Sequence, residues 1–127
     1  MPKMVLSVGQ CGADHHSLTS LLNSQFGAEV VSAASAREAL AQLRRDRYNL
    51  VLVNRLFDRG GSGLDFIVQL KADASLTGVP VMLVSNYDDA QQQAVALGAL
   101  PGFGKSSLGS PATLRRLGDA LGFATGP

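Results

Sequence analysis

Three groups of residues stand out for the chemistry their types and spacing could support. Cys11 and His15 are four positions apart, which on a helix would put both on one face as metal ligands, with Asp14 and His16 beside them. A structural zinc site wants four ligands, and only two or three are visible. A Cys–His nucleophile would also need a third residue to orient the imidazole and an oxyanion hole, and neither can be named. The reading that stands is a polar loop with a partly buried thiol. The second group, Gly60-Gly61-Ser62-Gly63, has the look of a phosphate loop but lacks the Walker spacing and its lysine. Its glycines suit an extended loop turning sharply into a helix. The third, Arg44, Arg45 and Arg47, is opposed by Asp46 and falls at a helix end, so it reads as a solvated cap rather than a nucleic-acid patch.

The elements that must position such residues alternate along the chain. Met4 to Val8 is a short apolar run halted by Gly9, as a buried strand would be. Leu18, Leu21, Leu22 and Phe26 follow at helical spacing, with Gly27 as the stop. Glu29 to Ala33 reads as a second strand. Ser35-Ala36-Arg37-Glu38 has capping-box spacing for a helix carrying Ala39, Leu40 and Leu43. Leu50 to Val53 is apolar at every position, the pattern of a strand covered on both faces. Ser62-x-x-Asp65 opens a third helix with Leu64, Ile67, Val68 and Leu70. Val79-Pro80 introduces a fourth strand, Val81 to Ser85, and Asn86-x-x-Asp89 can cap a helix from Ala90 to Leu97. Symmetry asks for a short fifth strand between Ala99 and Lys105. Ser110-Pro111 opens the last helix, with Leu114, Leu117 and Leu121 on one face.

Five βα units in series predict an α/β fold: a doubly wound, five-stranded parallel sheet in the order 2-1-3-4-5, flanked by five helices. The expectation is one domain over residues 1–127 with a frayed end. Ligands of such sheets bind beyond the carboxyl ends of the strands. That edge holds Gly9 to Asp14, Asn54 to Gly63, Ser85 to Asp88 and Phe103 to Ser106.

Along this edge the chain resembles the receiver domain of two-component response regulators, a flavodoxin-like fold. The resemblance spans essentially the whole sequence and is carried by Asn49-Leu50-Val51-Leu52-Val53-Asn54, Ser62-Gly63-Leu64-Asp65, Val79 to Ser85 and Phe103-Gly104-Lys105. It implies a site in which an acidic pair and a strand-ending aspartate bind Mg²⁺, and the aspartate accepts a phosphoryl group. A hydroxyl and a lysine then hold the phosphoryl oxygens, and an aromatic residue reports the state on the last helix-strand-helix face. Matched by position, Ser85 is the hydroxyl, Lys105 the lysine and Phe103 the aromatic. Asn54 stands at the phosphoacceptor position, and Gly9 and Gln10 stand at the acidic pair. The loop after Asn54 is one residue longer than the common pattern, and Ser106 replaces the proline that usually follows the lysine.

Those replacements change the chemistry. A carboxylate attacks phosphorus as an anionic oxygen, whereas the amide oxygen of Asn54 is neutral and a poor nucleophile. Mg²⁺ wants hard anionic oxygens, and Asn54 and Gln10 offer only neutral carbonyls, so no cofactor is expected. The one charge left at the matched positions is Lys105.

The expected function is that of a non-enzymatic, degenerate receiver: a phosphorylation-independent adaptor that binds a protein partner, or a second copy of itself, through the fourth helix, fifth strand and fifth helix. One alternative is an anion-sensing cleft built from Ser85, Lys105, Arg55 and Arg59. Another is phosphorylation at a substitute carboxylate, Asp58 or Asp14. Eleven basic against ten acidic residues leave a formal charge of +1, which gives no long-range pull toward nucleic acid or anionic membrane. One cysteine allows no internal disulfide, and no run reaches the ~20 apolar residues of a membrane helix. With no signal peptide evident, a cytoplasmic setting is expected.

Overall fold

The computed structural model describes residues 2–57 and 60–123. Five strands and five helices alternate: β1 (Met4–Val8), α1 (Gly12–Phe26), β2 (Glu29–Ala33), α2 (Ala36–Arg45), β3 (Leu50–Asn54), α3 (Gly63–Ala72), β4 (Val81–Val84), α4 (Asp88–Ala96), β5 (Leu100–Phe103) and α5 (Pro111–Ala120). All strand pairs are parallel, in the order β2-β1-β3-β4-β5. This is the predicted topology.

Alternation along the inner strands divides the core into two layers. Leu6, Val8, Val51, Val53, Val81 and Leu83 face α2, α3 and α4, meeting Leu40, Phe66, Ile67 and Ala94. Val5, Leu50, Leu52, Met82 and Val84 face α1 and α5, meeting Leu18, Leu22, Leu117 and Leu121. Each inner strand is therefore covered on both sides, as its apolar run requires, and Ser7 in β1 is buried with them.

The helices begin where their sequences can satisfy free backbone N–H groups. The Ser35 hydroxyl accepts from the Glu38 N–H (3.1 Å), and the Glu38 carboxylate reaches back to the Ala34 N–H (2.9 Å), one residue before the expected partner. Ser62 and Ser110 cap α3 and α5 in the same way. Asn86 does not cap α4: the residue at that position is Tyr87, with no side-chain cap. The basic cluster of α2 is tied down locally, Arg44 to Asp73 (3.0 Å) and Arg45 to Asp46 (3.2 Å).

One core assignment needs correcting. Val68 was expected on the buried face of the third helix but is 48% exposed, while Phe66, absent from the expected stripe, is fully buried. Phe66 lies one residue before Ile67 and four before Leu70, so the stripe facing the sheet is 66, 67 and 70. Phe66→Ala is expected to cost about 3–5 kcal/mol through lost burial and the cavity left behind. Val68→Ala should stay within about 0.5 kcal/mol. Urea unfolding of the two variants checks the assignment.

Candidate functional site

The carboxyl ends of β1, β3, β4 and β5 meet at one edge. Asn54 closes β3, and its side-chain NH₂ donates twice, to the Gly9 carbonyl (3.1 Å) and the Leu56 carbonyl (2.8 Å). The amide thereby ties the turn after β1 to the turn after β3. A carboxylate has no hydrogen to donate in this position.

Gly9 has φ +70°, in the left-handed region, and a Cβ there would overlap the Phe57 ring. Backbone bonds on either side hold that ring in place: Gly63 N–H donates to the Arg55 carbonyl (2.8 Å) and Phe57 N–H to the Gly61 carbonyl (3.1 Å). Phe57 is buried against the turn in which the resemblance would put an acidic side chain. Beside it, Gln10 encloses both polar atoms of its amide without a hydrogen-bond partner among the described residues.

The Mg²⁺ implied by the resemblance does not fit these residues. Position 9 has no side chain and no room for one. Asn54 turns its NH₂ inward to two carbonyls, and the remaining candidate donors are neutral amide oxygens. Among the described residues, no group of three His, Cys, Asp or Glu side chains could hold a metal ion. Cys11 instead caps α1, its Sγ accepting from the Asp14 N–H (3.4 Å), and His15 lies by Thr19.

Lys105 crosses the edge to pair with Asp14 at 2.6 Å, both side chains being partly exposed. The hydrogen bond from Lys105 holds the Asp14 carboxyl below its ordinary range. Partial burial opposes this shift, while Cys11 and the lysine charge add to it. Ser85 is buried. Its N–H donates to the Phe103 carbonyl (3.0 Å), and its hydroxyl oxygen accepts from the Tyr87 N–H (3.2 Å). Asn86 accepts from the N–H and hydroxyl of Ser106, both at 3.0 Å, pinning the β4–α4 turn to the turn after β5. That tie is why Asn86 is unavailable to cap α4.

A cleft of about 350 Å³ results, lined by Asn54, Arg55, Ser85, Asn86, Tyr87 and Lys105 among others. The Arg55 guanidinium lies over the Tyr87 ring at 4.6 Å. The structure thus brings Asn54, Arg55, Ser85 and Lys105 together, with Gly9 and Gln10 at the adjoining turn. Arg59 and Asp58 lie outside the described residues.

Phe103 does not join them. Its ring is 3% exposed and lies in the layer beneath α1 and α5. The β5 position facing α4 is Gly102, where a Cβ would meet the Leu83 carbonyl and the Gln91 side chain. Gly102 and Phe103 take opposite faces of the sheet here. Sequence reasoning also missed Phe57, Tyr87 and Gln91. An aromatic in a Gly-rich loop and one glutamine in a run of three carry no periodic signal.

Among solved structures, the whole architecture recurs in bacterial response regulators. A protein described as a response regulator from Chloroflexus aurantiacus J-10-fl superposes with a TM-score of 0.84 at 22% identity, over 95% of this chain and 98% of that one. The signal receiver domain of a DNA-binding response regulator (merR) from Colwellia psychrerythraea 34H gives 0.78 at 22% identity, over 92% and 96%. The chemotaxis response regulator CheY4 of Vibrio cholerae gives 0.70 at 20%, over 95% and 97%. No protein-family model matches the chain, and no curated protein matches it. At these identities the likeness establishes the fold, which is the receiver fold.

Two outcomes test the site's geometry. Asn54→Asp should destabilise the protein by about 1–3 kcal/mol in denaturant unfolding, because a carboxylate would face two carbonyls and donate to neither. The pH dependence follows from Asp14, whose folded-state carboxyl is depressed. Its contribution is present above the ordinary carboxylate range, near pH 4, and is lost as pH falls through the lower folded value. Because the pair is partly exposed, the effect should stay below about 1 kcal/mol. Asp14→Asn should flatten the stability profile below about pH 4 relative to wild type, read from urea midpoints.

Proposed function

We propose that this protein is a receiver-like signal-transduction adaptor of the two-component type. It works by protein–protein contact, without phosphorylation and without catalysis of its own. The observation that carries this reading is the orientation of the Asn54 amide. Its NH₂ is committed to two backbone carbonyls at the position where phosphoryl transfer would need a free anionic oxygen. Gly9, packed under Phe57, supports the same reading, since an apolar ring takes the space that a side chain at position 9 would need.

Contact would run through α4, β5 and α5. Val95 and Leu100 are exposed there, beside a groove of about 470 Å³ whose margin carries Asp88, Gln92 and Arg116. Apolar groups within a polar rim suit a reversible protein interface. The partner is another protein or a second copy of this chain. The near-neutral charge gives no reason to invoke nucleic acid or membrane, and among the described residues no helix is long and apolar enough to cross a bilayer. A cytoplasmic setting, where signalling partners of such folds act, completes the proposal.

A second reading, a sensor of small anions, is favoured by one observation. Arg55, Ser85 and Lys105 line a single cleft, and the Ser85 hydroxyl oxygen already accepts a bond, which leaves its O–H free to donate.

One pair of measurements separates the readings. After incubation with acetyl phosphate and Mg²⁺, intact-mass analysis is expected to show no added phosphoryl group. A gain of one would replace the adaptor with phosphorylation at Asp58 or Asp14. In an amide NMR titration with Mg²⁺ and beryllofluoride, then inorganic phosphate, no saturable shift is expected at Asn54, Ser85 or Lys105. Saturable phosphate shifts abolished by Lys105→Ala would establish the sensor instead.

A further inference from the structure

The β4–β5 ladder is broken in its middle. Met82 pairs with Leu100 and Val84 with Phe103, so one residue of β4, Leu83, faces two of β5, Pro101 and Gly102. Such a bulge leaves backbone groups without ladder partners, and Pro101 has no N–H to offer. The groups left over are buried, at Leu83 and Gly102.

A side chain from α4 fills the gap. The Gln91 NH₂ donates to the Leu83 carbonyl (2.8 Å), and also lies within bonding distance of the Ser85 carbonyl (3.1 Å) and the Phe103 carbonyl (3.3 Å). Its Oε1 accepts from the Gly102 N–H (3.2 Å). One primary amide, with a donor end and an acceptor end, substitutes for the missing peptide unit of the ladder. Only glycine at 102 leaves space for it, since a Cβ would collide with the Leu83 carbonyl and crowd Oε1. From the opposite side, an Arg116 guanidinium N–H donates to the Gly102 carbonyl (2.5 Å).

We propose that Gln91 is the positioning residue that fixes α4 on β4 and β5, holding the α4–β5–α5 face in one arrangement. Rotating or sliding α4 would strip bonds from Leu83, Gly102 and Ser85 together, three residues that are themselves buried. The face is then presented constantly, whatever the state of the cleft. This deepens the adaptor reading and rests on it for its biological meaning. The lock itself is a property of the free protein.

The experiment uses the ¹⁵N-labelled full chain with no partner, so its failure is separate from failure of the adaptor reading. In wild type, relaxation dispersion is expected to find no microsecond–millisecond exchange between residues 88 and 103, and the Gly102 amide should be protected from hydrogen exchange. In Gln91→Ala, Gly102 exchange should quicken at least about tenfold relative to amides of β1 and β3, and dispersion should appear in α4 and β5. Gln91→Glu keeps an acceptor for Gly102 but sets a carboxylate against the Leu83 and Ser85 carbonyls. Dispersion should appear there too, with Gly102 protection largely kept. If Gln91→Ala does not fold, Gln91→Met, which keeps the volume and removes the amide, is held to the same expectation as the alanine variant. Exchange already present in wild type across 88–103, or Gly102 protection unchanged in the variant lacking the amide, would overturn the proposal.

Discussion

Strands β1, β3 and β4 are sealed on both faces, and that one constraint organises everything else in this protein. A polar side chain within a strand buried on two sides is desolvated, as the Ser7 hydroxyl of β1 is, so most polar chemistry is pushed to the strand ends. Asn54 sits at such an end, one residue beyond the fully apolar Leu50–Val53 run. Ser85 lies one residue past β4, and Lys105 two residues past β5. Their convergence needs no selection for a shared task, because the topology delivers any strand-end residue to that edge. What the residues do there depends on their own bonds. Asn54 and Asn86 spend their amides on neighbouring turns, and Lys105 spends its charge on Asp14.

Among the described residues, the main ion pair of the edge is internal, Lys105 with Asp14. A cleft meant to hold a cation needs carboxylates facing inward and unneutralised. Here Asp14 is paired with Lys105, so among the described residues that carboxylate is already neutralised. A cleft meant to hold an anion needs cations without partners. Arg55, stacked on Tyr87, comes nearer to that description than Lys105 does.

Sheet order and helix positions were legible because they rest on signals written locally. The apolar run at Leu50–Val53 announces a doubly covered strand, and the serines at 35, 62 and 110 announce helix starts. Positions 9, 10, 54, 85 and 105 could also be placed at one edge from topology alone. Their side-chain orientation could not. Whether Asn54 turns its oxygen or its NH₂ inward depends on the Gly9 carbonyl, 45 residues away in sequence. Phe103 was misassigned because the β5 bulge alters which residues meet β4 and α4, and a bulge in a Pro-Gly sequence leaves no hydrophobic period to read. In the Gln91-Gln92-Gln93 run, only the fold decides which glutamine turns inward.

The backbone chemistry of β5 has a further consequence, for self-assembly. β5 is an outer strand of the sheet, and outer strands are where chains recruit one another into fibrils or exchange strands. Pro101 lacks an amide hydrogen, the Gly102 N–H belongs to Gln91, and the Gly102 carbonyl belongs to Arg116. A newly arriving strand would find the middle of this border already spoken for. Two copies that meet here must therefore do so through side chains, in contacts that can dissociate, rather than by extending one continuous sheet.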